Sequence, residues 1–212
     1  MKYIQNEQGN SAFYLLWIIG MTAVVFIIVM NIGRVYIVKQ QASTATQQAA
    51  IAGTSVLIEA TNEGVDSFDQ MIIPEVKVEC IFDKPVKESV NERVQQLRAS
   101  GKTSDLIYIT AFNDELIPKM NQCDSLKGKI LESVSSSTDQ YVTAARNTLE
   151  SNEANSERLE VLLSDTKWRV EVKADATFET ITDGSYLKSF KSEIPQKGYG
   201  PPMEYLKTVF GY

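Results

Sequence analysis

The chain has 212 residues, 43% of them hydrophobic and 23% charged, and carries a net charge of −6. It holds no histidine and two cysteines, Cys80 and Cys123. That composition excludes Ser-His-Asp triads, histidine general bases and histidine-bearing metal sites, and two cysteines alone cannot make a four-thiolate centre.

Residues 1–11 are a short N-terminal segment, and residues 8–33 carry no charge. Within them, residues 12–30 read AFYLLWIIGMTAVVFIIVM, diluted only by Gly20 and Thr22. The run matches the roughly 20 residues a helix needs to cross a bilayer. A helix is the required form, because lipid offers no partner to backbone N–H and C=O groups. The expectation is a transmembrane helix over 12–33. The competing reading is a cleaved secretory signal. Against it stand a single Lys2 offset by Glu7, an apolar run longer than an h-region, and no small-residue site before Ala49-Ala50. The all-round apolar character also argues against the core helix of a soluble domain.

Residues 34–60 are rich in alanine and glutamine and free of proline. Val35, Val38, Ala42, Ala45, Ala49, Ala52 and Val56 recur at three- and four-residue spacing and mark one helical face. Gln40, Gln41, Thr44, Gln47 and Gln48 take other faces. The simplest reading is one helix over 12–60, about 73 Å long, with its first half in lipid and its second projecting outward. Thr61-Asn62-Glu63-Gly64 reads as its end, with Gly64 near the C-cap. Gly33, Ala42, Ala45, Ala49, Ala52 and Gly53 form a seam of small residues where another helix can approach closely. The other use of such a seam is packing against the protein's own sheet.

Residues 61–212 are long enough for one domain with its own core. They hold 18 Lys+Arg and 25 Asp+Glu, a balance unsuited to nucleic acid, where affinity comes from cationic contacts to phosphate. Val76, Val78 and Cys80 alternate as in a short strand. Val86, Val90, Val94 and Leu97 form a helical stripe ending near Ser100-Gly101. Residues 106–112, LIYITAF, are β-branched and aromatic and read as a strand. Leu126, Ile130, Leu131, Val134, Tyr141, Val142, Ala145 and Leu149 predict helix, with Ser135-Ser136-Ser137 as an interruption. Residues 152–155 read as a turn, and Leu159, Leu162 and Leu163 as a short helix.

The clearest strand covers residues 168–182. Trp168, Val170, Val172, Ala174, Ala176 and Phe178 lie on one face, and Arg169, Glu171, Lys173, Asp175, Thr177 and Glu179 on the other, as in an antiparallel strand wet on one side. Asp183-Gly184 is a hairpin turn, and Tyr186, Lys188 and Phe190 begin the return strand. Gly198-Tyr199-Gly200-Pro201-Pro202 is a loop before a short tail. The class is α+β, a small antiparallel sheet with helices, behind a long N-terminal transmembrane helix. If the domain lies outside the cytoplasm, Cys80 and Cys123 read first as a disulfide; the alternative is two buried thiols.

The flanking charges, Lys2 on one side and Arg34 and Lys39 on the other, lean slightly towards a cytoplasmic C-terminus. Long domains translocate largely regardless of such charges, and the N-in, C-out orientation is favoured together with the following likeness. The ordered series Glu7-Gln8-Gly9, the apolar span, Asn31-Ile32-Gly33-Arg34-Val35-Tyr36 and Gln48-Ala49-Ala50-Ile51-Ala52-Gly53 resembles the TadE/TadG-like proteins of the tight-adherence (Flp) pilus and secretion system. Glu7, Gly9, Gly33 and Arg34 carry the pattern, which covers about residues 6–60 and leaves 61–212 without a family signature.

The resemblance implies a minor pseudopilin or assembly factor, single-pass in the cytoplasmic membrane, with its C-terminal domain outside and pilin-like or Tad-type proteins as partners. In pilin-like members a prepilin peptidase cuts after a glycine. Here Gly9 would be the cleavage residue and Asn10 the new N-terminus. The fifth mature residue would be Tyr14 where those members have Glu, and no Lys or Arg adjoins Gly9. Both departures favour the TadG-like branch.

Two other classes compete. An anchored extracytoplasmic binding or adhesion module would use Tyr186, Phe190, Tyr199, Tyr205, Phe210 and Tyr212, although such aromatics are more often core or singly exposed. An enzyme would need acid/base pairs such as Glu75 with Glu79 or Asp114 with Glu115, but no nucleophile motif accompanies them. Residues 66–69 lack the spacing of a calcium loop. The expectation is a non-enzymatic protein without cofactor or metal. Its contacts are membrane lipid, assembly partners and, as a homo-oligomer, further copies of itself.

Overall fold

The computed structural model describes residues 8–71, 80, 82–101, 106–152, 158–179 and 191–211. The first element, α1 (Gln8–Met71), is an uninterrupted helix of 64 residues, about 96 Å long. The apolar span and the Ala/Gln-rich extension are thus one rod, as their shared lack of proline suggests. The rod continues beyond residue 60. Gly64 is no C-cap but a buried helix-interior residue at a crossing point. A Cβ there would stand 2.8 Å from the Cα of Ile130 and 3.0 Å from the carbonyl oxygen of Lys129. Glycine is required by close approach, not by backbone conformation.

The remaining elements are α2 (Val86–Ala99), α3 (Ile107–Met120), α4 (Asp124–Ser136), α5 (Thr138–Ser151), β1 (Glu160–Leu163), β2 (Val170–Glu179), β3 (Lys191–Tyr199) and α6 (Tyr205–Phe210). The strands form one antiparallel sheet in the order β1-β2-β3. The second half of α1 is the spine. It packs against α4 and α5 and against β2 and β3, while α3 packs against α2 and α6. Leu57, Val65 and Phe68 of α1 are fully buried, as are Phe112, Leu116, Leu126, Ile130 and Leu149. The fold is α+β with a helical majority.

Two elements differ from the sequence expectation. Residues 106–112 belong to helix α3. Ile107, Ala111, Phe112, Leu116 and Met120 are buried, a helical spacing that continues past the β-branched run, so packing overrides local strand preference. Residues 159–163 hold strand β1. Its four residues pair with Lys173 back to Val170, and the Lys173 ammonium contacts the Glu160 carboxylate at 2.9 Å. A leucine spacing of three and four is ambiguous in so short a segment.

The other elements keep close to their predicted positions. The helical stripe through Val86 and Leu97 is α2. The serine run does interrupt the next pair, with Ser137 joining α4 to α5. β2 begins at Val170 rather than Trp168, which has φ 50° and closes a turn by donating its N–H to the Ser164 carbonyl at 2.9 Å. Val170, Val172 and Ala174 are buried, while Glu171, Lys173 and Asp175 are half-buried, as the alternation requires. Gly198 and Tyr199 are the last residues of β3 rather than loop, and the tail is helix α6. Residues 76 and 78, the Asp183-Gly184 turn, and Tyr186, Lys188 and Phe190 lie outside the described residues.

Cys80 and Cys123 are joined by a disulfide across 43 positions, with Cα atoms 5.7 Å apart. The bond ties the region between α1 and α2 to the start of α4. Asp69 of α1 adds a second tie. Its carboxylate accepts the backbone N–H groups of Val86 and Lys87, each at 2.9 Å, and so caps an α2 N-terminus that has Pro85 in place of a capping side chain.

Candidate membrane helix and its junction with the domain

The N-terminal half of α1 touches almost nothing. Phe13, Tyr14, Leu15, Leu16 and Trp17 are exposed, and exposure continues through Val24, Ile28 and Met30 to Ile37. A Cβ at Gly20 or Gly33 would meet no atom within 4 Å. Apolar side chains pointing in every direction from one helix need an apolar surround. The most apolar stretch has a mean hydropathy of 2.6 and no part of it is buried in the fold. This helix is a candidate membrane span by length, composition and exposure together.

Its polar residues are compatible with lipid. The Thr22 hydroxyl donates to the Ile18 carbonyl at 2.8 Å, and the Asn31 amide to the Ile27 carbonyl at 2.9 Å. Each donor is satisfied by the helix's own preceding turn, which lowers the penalty of placing it in hydrocarbon. Tyr14 and Tyr36 stand 22 residues apart, about 33 Å along the axis, close to the thickness at which aromatic residues mark bilayer interfaces.

Cover begins abruptly on one stripe. Asn31, Val35 and Val38 are half-buried while the residues between them are exposed. The stripe deepens into Ala42, Ala45, Thr46, Ala49 and Ala50, all buried. The predicted small-residue seam therefore lies in two environments. Ala42, Ala45, Ala49 and Gly53 are buried in the chain's own fold, Ala52 is half-buried, and Gly33 is exposed on the apolar half. At Gly53 a Cβ would lie 3.2 Å from a Val170 methyl. At Thr46 the backbone of β3 passes so closely that a Cβ on Gly198 would overlap the Thr46 carbonyl.

Further along, α1 carries the polar centre of the core. The Thr61 hydroxyl donates to the Leu57 carbonyl at 2.7 Å and lies 2.9 Å from the Tyr205 hydroxyl. The Tyr205 ring meets Phe112 edge-on with centroids 5.3 Å apart, and its backbone N–H donates to the Asn113 side-chain oxygen at 2.9 Å. Burial pushes the Tyr205 phenol above its ordinary value, opposed in part by the hydrogen bond with Thr61. Nothing in the sequence singles out this pair; its two members are 144 positions apart.

Other suggested residues fall into structural roles or outside the described part. Asp114 pairs with Arg93 at 2.7 Å and Glu115 with Lys119 at 2.6 Å. Tyr199 lies under the Arg169 guanidinium, 4.1 Å from the ring centroid, and Phe210 stacks on Trp168 at 5.8 Å. An open acidic groove runs between the end of α1 and α2, where Asp69 caps α2 and Asp66 pairs with Lys87. Among the described residues, no three His, Cys, Asp or Glu side chains gather as a metal site. Glu7, Glu75, Glu79, Tyr186, Phe190 and Tyr212 lie outside the described residues. Gly9 and Asn10 lie in the first turn of α1, and Arg34 on its exposed surface.

The fold and the bare helix define a class: a domain built on the distal half of one candidate membrane helix. The comparison with known families sharpens this. Residues 9–57 match the family model described as "Putative Flp pilus-assembly TadE/G-like", the family that the ordered N-terminal motifs resemble. No curated protein and no solved structure matches the chain.

Proposed function

We propose that this is a non-enzymatic, single-pass membrane protein of a Tad/Flp-type pilus or secretion assembly, acting as a minor pseudopilin or assembly factor. The observation that carries the reading is the bare apolar half of α1, continuous with the spine of the folded domain and inside the segment that matches the pilus-assembly family. Such a rod couples events in the membrane to the domain without a flexible joint.

The orientation is N-terminus inside and domain outside the cytoplasmic membrane. The disulfide supports this side, because such bonds persist in oxidising compartments. Helix packing with pilin-like partners falls to the exposed apolar half of α1, since Ala42, Ala45 and Ala49 are already used within the fold. Gly20 and Gly33 offer open backbone where a partner helix can come close. Cleavage after Gly9, leaving Asn10 first, would make the protein a filament component. An uncut chain would act as a permanent anchor.

The test is a deletion strain complemented with the full-length chain, scored for surface filaments, with the intact mass of the membrane-extracted protein measured alongside. Loss of filaments on deletion and their return on complementation support the proposal. Filaments that assemble normally without the protein contradict it.

A further inference from the structure

We propose that Arg34 and Lys39 bind the phosphodiester groups of anionic phospholipid and so fix the depth of α1 in the membrane. The inference rests on reading α1 as the membrane span.

Arg34 and Lys39 are the sole charged residues on α1 before Glu59. Glu59 is about 30 Å further along the axis than Lys39. Both cationic side chains are exposed, and neither makes an ion pair or hydrogen bond with a described side chain. Beside them on the helix, Tyr36, Ile37, Gln40 and Gln41 are exposed and uncharged. The protein leaves this positive charge without an anion of its own.

The two cations also stand at the level where lipid anions are found. The apolar run begins at Ala12, and a hydrocarbon layer about 30 Å thick takes about 20 helical residues, so it ends near Asn31. The Cα of Arg34 is then about 4.5 Å past the hydrocarbon edge, inside a headgroup layer of about 5–7 Å. The Lys39 backbone is about 12 Å past that edge. Helical side chains lean back over the preceding turn, towards the helix N-terminus. On α1 that direction leads to the bilayer, and one turn of about 5 Å brings the Lys39 ammonium to about 7 Å, the outer level of the same layer. Long basic side chains place their charge at such an interface while their stems stay on apolar surface.

The groups themselves select the ligand. A guanidinium forks onto two phosphate oxygens, and an ammonium acts as a point charge. Five positions apart, the two residues lie about 140° apart around the helix, on either side of the half-buried stripe through Val35 and Val38. They therefore hold separate lipids. Anionic headgroups outcompete phosphatidylcholine, whose own choline cation offsets its phosphate. The same phosphodiester occurs in either leaflet, so the site does not depend on which way α1 is oriented.

The full-length, disulfide-intact chain is tested in phosphatidylcholine vesicles carrying a trace of spin-labelled phosphatidylglycerol or spin-labelled phosphatidylcholine. Electron paramagnetic resonance reads the lipid immobilised on the protein. At low salt the phosphatidylglycerol label is expected to associate about twofold or more strongly than the phosphatidylcholine label. The preference should vanish in salt of about 1 M, where charges are screened within about 3 Å. It should also vanish when Arg34→Gln and Lys39→Gln are combined, and persist when Arg34→Lys and Lys39→Arg are combined. Equal association of the two labels with the parent chain overturns the proposal. So does a preference that survives salt, an arm that uses the parent chain alone, or one that is unchanged in the double glutamine variant, because other groups then carry it. If neither label is immobilised, α1 is not in lipid and the membrane reading itself fails.

Discussion

Replacing Gly64 with alanine puts one methyl group where α1 crosses α4. Its Cβ would be 2.8 Å from the Ile130 Cα and 3.0 Å from the Lys129 carbonyl oxygen. Both are backbone atoms and cannot swing aside. Ordinary carbon contacts are about 3.5–4.0 Å, so the helices must part by about 1 Å. Overpacking of this kind costs about 1–3 kcal/mol, and two unyielding backbone contacts put this case at about 2–3. Alanine returns about 1 kcal/mol of helix preference over glycine. The expected net loss is about 1–2 kcal/mol, or roughly 2–8 °C in melting temperature for a domain of this size.

Gly128 provides the opposite case. It lies on the exposed face of α4, and a Cβ there meets nothing within 4 Å. Gly128→Ala keeps the helix-preference gain of up to about 1 kcal/mol without the clash. The assay is thermal unfolding of both full-length variants in detergent, followed by near-ultraviolet circular dichroism. Opposite signs support the crossing geometry. A Gly64→Ala protein as stable as the parent, or a destabilised Gly128→Ala protein, refutes it.

Gly198→Ala is expected to destabilise more than Gly64→Ala, because its methyl overlaps the Thr46 carbonyl directly; hydrogen exchange should show β3 loosened from α1 before the helical part opens. Reducing the Cys80–Cys123 bond should lower stability by up to about 4 kcal/mol in the chain-entropy model, read as a shifted urea midpoint in denaturation with and without reductant. Tyr205→Phe should lose about 1 kcal/mol by removing the contact with Thr61. It should also alter the alkaline limb. Burial raises the Tyr205 phenol, so its protonated form supports the fold fully below the ordinary tyrosine value of about 10 and less as pH rises past it. The variant's stability should therefore fall less steeply above that pH, and identical alkaline limbs would contradict the assignment.

The sequence made the long helix legible because an uncharged apolar run and a small-residue stripe share one period and no proline separates them. It made β2 legible because five or six alternations leave little ambiguity. It misplaced the end of α1 because Thr61-Asn62-Glu63-Gly64 has the composition of a helix stop, while the real reason for Gly64 is the helix α4 that crosses it. It misread α3 and β1 because a seven-residue run with three β-branched residues, or three leucines, fits either period until the tertiary neighbours are known. The hydrogen bond between Thr61 and Tyr205 and the passage of Gly198 over Thr46 join distant residues, and no local pattern announces them.

The central claim is that α1 crosses a membrane and carries the disulfide-bonded domain outside it. The most direct measurement is protease treatment of cells stripped to the cytoplasmic membrane, followed by the mass of the fragment that stays with the lipid. The account predicts that the domain is digested and a fragment containing residues 12–30 is retained. A full-length chain protected from protease would place the domain inside, and a chain released intact into solution would show that α1 is no anchor.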